Sequence, residues 1–308
     1  MGTMRWSPED WDKYVKTTSS KSASEIFSRK LEKDLDPKHI KIRESCDSDL
    51  NPQSTPIIVA VDDTGSMGFL AELLIRKGLG TLIEEIYDRK PVSDPHLMLM
   101  AVGDAWCDRA PLQVTQFETD IRLASQLSRF YIEGGGGGNQ FESYNLPWYF
   151  AATRTRCDAF LKRGKRGYLF TVGDEPPPPA LLKEHIKKIL GDSAQHDMKT
   201  RDILSMASRT WDIYHIMIEE GSYFRSRPDE TRRQWRDLLG QKAIGLADHA
   251  ELCELIVSTI EVAEGKDLDE VVGGWSSNVG KVVRNSLVAL AGSTGTGNTR
   301  GGSGITRL

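Results

Sequence analysis

Pro56-Ile57-Ile58-Val59-Ala60-Val61-Asp62-Asp63-Thr64-Gly65-Ser66-Met67-Gly68 is the stretch on which the reading of this chain turns. A β-branched apolar run ends abruptly in carboxylates and hydroxyls, and a helix-compatible segment, residues 69–89, follows at once. The pattern predicts a buried strand, a tight turn and a helix start. Asp62, Thr64 and Ser66 fall on alternate positions, so an extended turn carries all three side chains on one side. A carboxylate with two hydroxyls is an all-oxygen set, the kind that hard divalent cations such as Mg²⁺ prefer.

Outward from this stretch, strand patterns alternate with helical ones. Leu73, Leu74, Leu79, Leu82, Ile83 and Ile86 recur at helical spacing. Strands are expected over 97–102, 112–117, 168–172 and 213–218, with a short edge strand over 243–246. Pro111 and the short gap between the first two of these predict an antiparallel pair. Helices are expected over 22–35, 121–130, 146–161, 181–190, 200–208, 232–239 and 253–263, and Ser7-Pro8 reads as a further helix start. The fold class is therefore α/β: a doubly wound, mainly parallel central sheet flanked by helices, with one short antiparallel strand. Ligands of such sheets bind beyond the carboxyl ends of the strands, and Asp62, Asp104 and Asp174 all stand at such ends. Residues 1–50 read as a helical extension and linker and 51–265 as the main domain. A helical segment (266–290) and a Gly/Ser/Thr-rich tail (291–308) follow.

Asp62-x-Thr64-x-Ser66-Met67 resembles the metal-ion-dependent adhesion site of von Willebrand factor A domains, whose pattern is Asp-x-Ser-x-Ser after the first strand. Thr64 keeps the hydroxyl where the family has Ser. The resemblance implies two further ligand loops. The glycine run at 134–138 ends in Asn139, with Glu142 just beyond, and Asn139 takes the place of the family's second-loop Thr. Glu142 reads either as the alternative ligand there or as a solvated helix-start acid. Asp174, in Thr171-Val172-Gly173-Asp174-Glu175, takes the third-loop position and would act through a bound water. The implied cofactor is Mg²⁺, or Mn²⁺ or Ca²⁺. The implied activity is binding rather than catalysis: the underfilled ion accepts an Asp or Glu from a protein partner. Intracellular bacterial or phage members of the family work beside MoxR-type AAA+ ATPases, which makes such an ATPase an expected partner.

Composition narrows the alternatives. The 308 residues are 39% apolar and 27% charged with a net charge of −4, so a global electrostatic case for nucleic acid or an anionic membrane is lacking. The first ten residues lack the apolar core of a signal peptide, and Cys46, Cys107, Cys157 and Cys253 stand singly, as reduced thiols of a cytoplasmic protein do. The glycine run lacks the Lys-Ser/Thr of a phosphate loop. Pro176 to Pro179 reads as a stiff rim, His215 as a packed histidine, and Trp148, Tyr149 and Phe150 as core with one at the crevice. The rival to a binding module is a metal-dependent hydrolase or nuclease using Asp62, Asp63, Asp104 and Asp174 on two ions. It lacks an evident Lys, His or Arg beside those loops.

Overall fold

The structure, a computed structural model, describes residues 5–133 and 139–294, and of Ser66, Ser293 and Thr294 the backbone alone. The central sheet has six strands: β1 (Thr55–Asp62), β2 (Pro95–Val102), β3 (Leu112–Val114), β4 (Gly167–Gly173), β5 (Trp211–Ile218) and β6 (Ala243–Leu246), in the spatial order β6-β5-β4-β1-β2-β3. All neighbours are parallel except β3, which runs antiparallel to β2. The expected α/β class is thus observed, including the short antiparallel strand.

β1 lies at the centre between β2 and β4, and every one of its residues is buried. Its alternation decides which layer each side chain joins. Ile57, Val59 and Val61 face one core, and Ile58 and Ala60 face the other. The first core is closed by α1 (Pro8–Thr18), α2 (Leu79–Arg89) and α3 (Arg122–Leu127). The second is closed by α4 (Asn145–Arg154), α5 (Thr200–Ala207) and α6 (Pro228–Leu239). The later helices α7 (Leu252–Ala263), α8 (Leu268–Gly273) and α9 (Ser277–Thr294) return to the first core through Leu255, Val271 and Leu287. α1 crosses α2 at Gly80, where a Cβ would stand 2.1 Å from the Trp11 indole nitrogen. Only a residue without a side chain lets the two helices approach so closely. The outer segments thus share the core of the central sheet: Trp11, Ile26 and Phe27 before it and Val283 after it are buried there.

Two helical expectations are corrected. Residues 22–35 form only the short helix Ala23–Ile26, because Phe27 turns extended and the Ser28 N–H bonds the Phe130 carbonyl. Residues 146–161 are not one helix. Thr155–Cys157 leaves α4 to pair in parallel with Arg43–Ser45, and helix resumes at Asp158–Arg163. In both places a partner distant in sequence outweighs local periodicity.

Candidate metal centre

β1 delivers Asp62 to its carboxyl end fully buried. The Thr64 N–H and hydroxyl both donate to Asp62 Oδ1, at 2.9 and 2.6 Å, and the Tyr144 hydroxyl donates to Oδ2 at 2.7 Å. The chain then makes a single 3₁₀ turn, Gly65–Met67, with Gly65 at φ +25°. Thr64 precedes this turn yet makes no side-chain cap to it. Its hydroxyl hydrogen is given to Asp62, so the oxygen keeps its lone pairs for another partner. The Ser66 side chain lies outside the described residues.

Beyond β2, Asp104 is fully buried and accepts the Trp106 N–H at 2.9 Å, the Cys107 thiol at 3.1 Å and the Asn139 amide at 2.6 Å. Its own N–H donates to Asp108 Oδ2 at 2.7 Å. It is a strand-end turn residue, as its position suggested. Asn139, the expected second-loop ligand, thus spends its amide nitrogen on this turn; the preceding glycines lie outside the described residues. Glu142 is not a solvated helix-start acid. It is only 3% exposed, because its N–H bonds the Pro176 carbonyl and draws it under the proline run, and among the described residues Oε2 has no partner. Beyond β4, Asp174 is buried and accepts the Tyr223 N–H at 2.9 Å, which ties it to the loop after β5. Its neighbour Glu175 also leaves Oε2 without a partner among the described residues, while its carbonyl accepts the Trp235 indole N–H at 3.0 Å.

Among the described residues, neither Asp62, Asp63, Asp104 nor Asp108 forms an ion pair, and neither does Glu142, Asp174 or Glu175. Burying carboxylates without a cation is costly, and proteins answer by protonation or by a bound metal. Burial accordingly pushes Asp62 up to about 7. Burial and then the Asp62 charge push Glu175 up to about 8 and carry Asp63 and Glu142 well above the ordinary range. Burial also raises Asp174 and Asp108.

An acid whose folded value exceeds its unfolded value, 3.8 for Asp62, imposes no penalty below the unfolded value. Stability is lost as pH rises through the interval between the two. In chelator the melting temperature should therefore fall steadily from about pH 4 to about pH 8, and saturating Mg²⁺ should flatten that slope. Scanning calorimetry across the range checks it, and a slope unaffected by Mg²⁺ would count against a cation among these groups.

Gly173 closes the wall behind Asp62. A Cβ there would stand 1.9 Å from the Tyr144 hydroxyl and 2.9 Å from Asp62 Oδ2. Gly173→Ala should cost about 1–3 kcal/mol by overpacking, measured by urea unfolding, and should weaken Mg²⁺ binding by displacing the Tyr144–Asp62 bond.

Thr64 meets Asp62 directly, the Tyr144 hydroxyl ties Asp62 to the segment that carries Glu142, Asp174 follows the neighbouring strand β4, and Asn139 bonds the Asp104 turn after β2, so these residues gather at the carboxyl ends of adjacent strands. Sequence reasoning missed Tyr144, because a tyrosine two residues after a candidate ligand carries no signature until its hydroxyl is seen to meet Asp62. Trp148 and Phe150 are fully buried and Tyr149 nearly so, and the rim aromatics are instead Trp106, Phe141 and Tyr223. His215 is packed, as expected: it stacks on Trp235 with ring centroids 3.5 Å apart and meets the Thr171 hydroxyl at 2.9 Å. Among the described residues, the His/Cys/Asp/Glu trio whose ligand atoms lie within 4.8 Å of one another is elsewhere, at Glu220, Asp248 and His249. There His249 and Glu220 already bond each other at 2.6 Å. No helix among the described residues is long and apolar enough to cross a membrane, and all four cysteines are free thiols.

No protein-family model matches the chain, and no curated protein matches it. Solved structures similar to it include the pilus adhesin SpaC from Lactobacillus rhamnosus GG in an open conformation, at 11% identity and TM-score 0.45 over 73% of this chain and 31% of that one. Proximal thread matrix protein 1 from the mussel byssus is similar at 10% identity and TM-score 0.43, over 68% and 47% of the two chains. A von Willebrand factor type A protein from Catenulispora acidiphila is similar at 12% identity and TM-score 0.37, over 70% and 44%. The chain spans a third to a half of the length of these structures, and likenesses at this level assign it no activity.

Proposed function

We propose that the chain is a metal-ion-dependent protein-binding module of the von Willebrand factor A type. In this reading Asp62, Thr64 and Ser66 hold one Mg²⁺, or Mn²⁺ or Ca²⁺, beyond the central strand, and an Asp or Glu of a protein partner completes its shell. A MoxR-type AAA+ ATPase is the class of partner that the sequence resemblance suggests. One observation carries the reading: a fully buried carboxylate at the end of the central strand is held by a hydroxyl and a phenol and, among the described residues, is paired with no Lys, Arg or His. A divalent ion supplies the missing charge, and the two neutral hydroxyls leave it electrophilic.

Both second-loop candidates keep an oxygen donor: among the described residues Glu142 Oε2 has no hydrogen-bond partner, and Asn139, whose amide nitrogen donates to Asp104, ligates through its carbonyl oxygen. Asp174 fits an orienting role, since a backbone N–H fixes its carboxylate. The hydrolase alternative draws on the surplus of buried acids. It is disfavoured because, among the described residues, none of these acids forms an ion pair with a Lys, Arg or His that could stabilise developing charge.

Partner capture tests the proposal. Wild type in Mg²⁺ should retrieve a protein that Asp62→Ala does not, and that chelator releases from wild type. Retrieval of the same proteins by both, with and without chelator, would contradict it.

A further inference from the structure

A groove of about 870 Å³ opens beside the centre, at the upper end of the range of roughly 300–1,000 Å³ typical of ligand sites. Its apolar lining comes from Phe141, Tyr223, Leu238 and the proline run. Two residues belong to both features. Asn139 bonds Asp104 and also lines the groove, and Tyr223 holds Asp174 through its N–H and also lines the groove. Trp106, 52% exposed, stands edge-to-face against Phe141 and extends the apolar surface to the Asp104 loop.

The proline wall is fixed in place. The Pro176 carbonyl accepts from Glu142, and the Pro178 and Pro179 carbonyls accept from the Thr200 hydroxyl and N–H. Positive charge among the lining residues comes from Lys199 and Arg201, both exposed and neither in an ion pair among the described residues. Glu230 and Asp237 from α6 make the rest of the polar lining anionic or neutral, so the attraction for an acid is confined to that one stretch.

We infer that this groove docks an extended segment of the partner protein, with one acidic residue on the ion, adjacent apolar residues against Phe141, Tyr223 and the prolines, and a second acidic residue at Lys199 and Arg201. Continuity with the centre through Asn139 and Tyr223, and the placement of the two cations, select this occupant. Asn139, Gln140 and Gln234 along the lining each spend one end of the side-chain amide on Asp104, Arg227 and Glu230, and the other end suits the backbone of an extended peptide. Rigid aromatic and proline surface suits its apolar side chains, at little entropic cost. The inference rests on the ion-dependent reading above.

The test is to pan a phage-displayed random-peptide library on the full chain in Mg²⁺ and measure a selected, fluorescein-labelled peptide by anisotropy. Selected peptides should carry an acidic residue flanked by apolar ones, with a second acid nearby. Phe141→Ser and the double variant Lys199→Glu/Arg201→Glu should each weaken binding at least about tenfold. The Mg²⁺-induced rise in melting temperature should stay unchanged in both, which shows that the centre is intact. Peptides that need Mg²⁺ and Asp62 but ignore both groove variants would overturn the groove assignment and leave the centre standing. Peptides indifferent to Mg²⁺ and to Asp62→Ala would overturn the ion-dependent reading itself. Absence of any enriched peptide would count against the groove.

Discussion

Mg²⁺ at about one hundred times its dissociation constant should stabilise the chelator-treated protein by about 2.7 kcal/mol, and Asp62→Ala should abolish the effect. For a chain of this size that energy corresponds to a rise in melting temperature of roughly 4 °C. The magnitude comes from mass action alone, since an ion that binds the native state and not the unfolded chain shifts the equilibrium in proportion to the logarithm of its excess. The electrostatics add a second expectation. Without the ion, Asp62 is a buried acid surrounded by others, and its ionised form is a liability. In chelator near pH 8, Asp62→Ala should therefore be no less stable than wild type apart from the lost Thr64 and Tyr144 hydrogen bonds. The variant thus separates a structural carboxylate from an ion ligand. A structural one would cost stability in both conditions, whereas a ligand costs it chiefly in Mg²⁺.

Trp235→Ala should be among the most damaging single changes in the second core, costing about 3–5 kcal/mol. Trp235 is fully buried, stacks on His215 at 8° between planes and packs near Tyr144 and Trp148, with centroids 5.6 and 6.1 Å away. Its indole N–H is the donor to the Glu175 carbonyl. Truncation opens a cavity beneath the ring that bonds Asp62 and frees the loop that carries Asp174. Mg²⁺ affinity should therefore fall together with stability. Trp235→Phe keeps most of the packing and deletes the N–H, so it should cost less in stability than Ala. Chemical denaturation measures both variants. A loss below about 1 kcal/mol for the alanine variant would show that this stack does not support the site.

The parts of the fold that were legible share one physical feature: their neighbours are generic. A fully buried parallel strand needs only a β-branched apolar run, and residues 57–61, 168–172 and 213–218 supply one each. Asp62, Asp104 and Asp174 follow because polar residues after such a run mark the carboxyl end of a strand. What escaped depends on specific long-range partners. The break at Thr155–Cys157 is set by Arg43–Ser45, and the loss of helix after Ile26 by a backbone bond to Phe130. Glu142 has the local pattern of an exposed acid, and it is buried because its N–H meets Pro176 across the crevice. Tyr144 was invisible for the same reason: its role is fixed by where the start of α4 meets the end of β1, a matter of packing rather than spacing.

Anomalous diffraction from crystals of the protein grown with Mn²⁺ would locate the ion directly. One manganese site is expected about 2.1 Å from an Asp62 oxygen and the Thr64 or Ser66 hydroxyl. Two sites about 3.5–4 Å apart and bridged by Asp62 would identify a hydrolytic centre instead, and no manganese at the end of the central strand would rule out an ion held by Asp62.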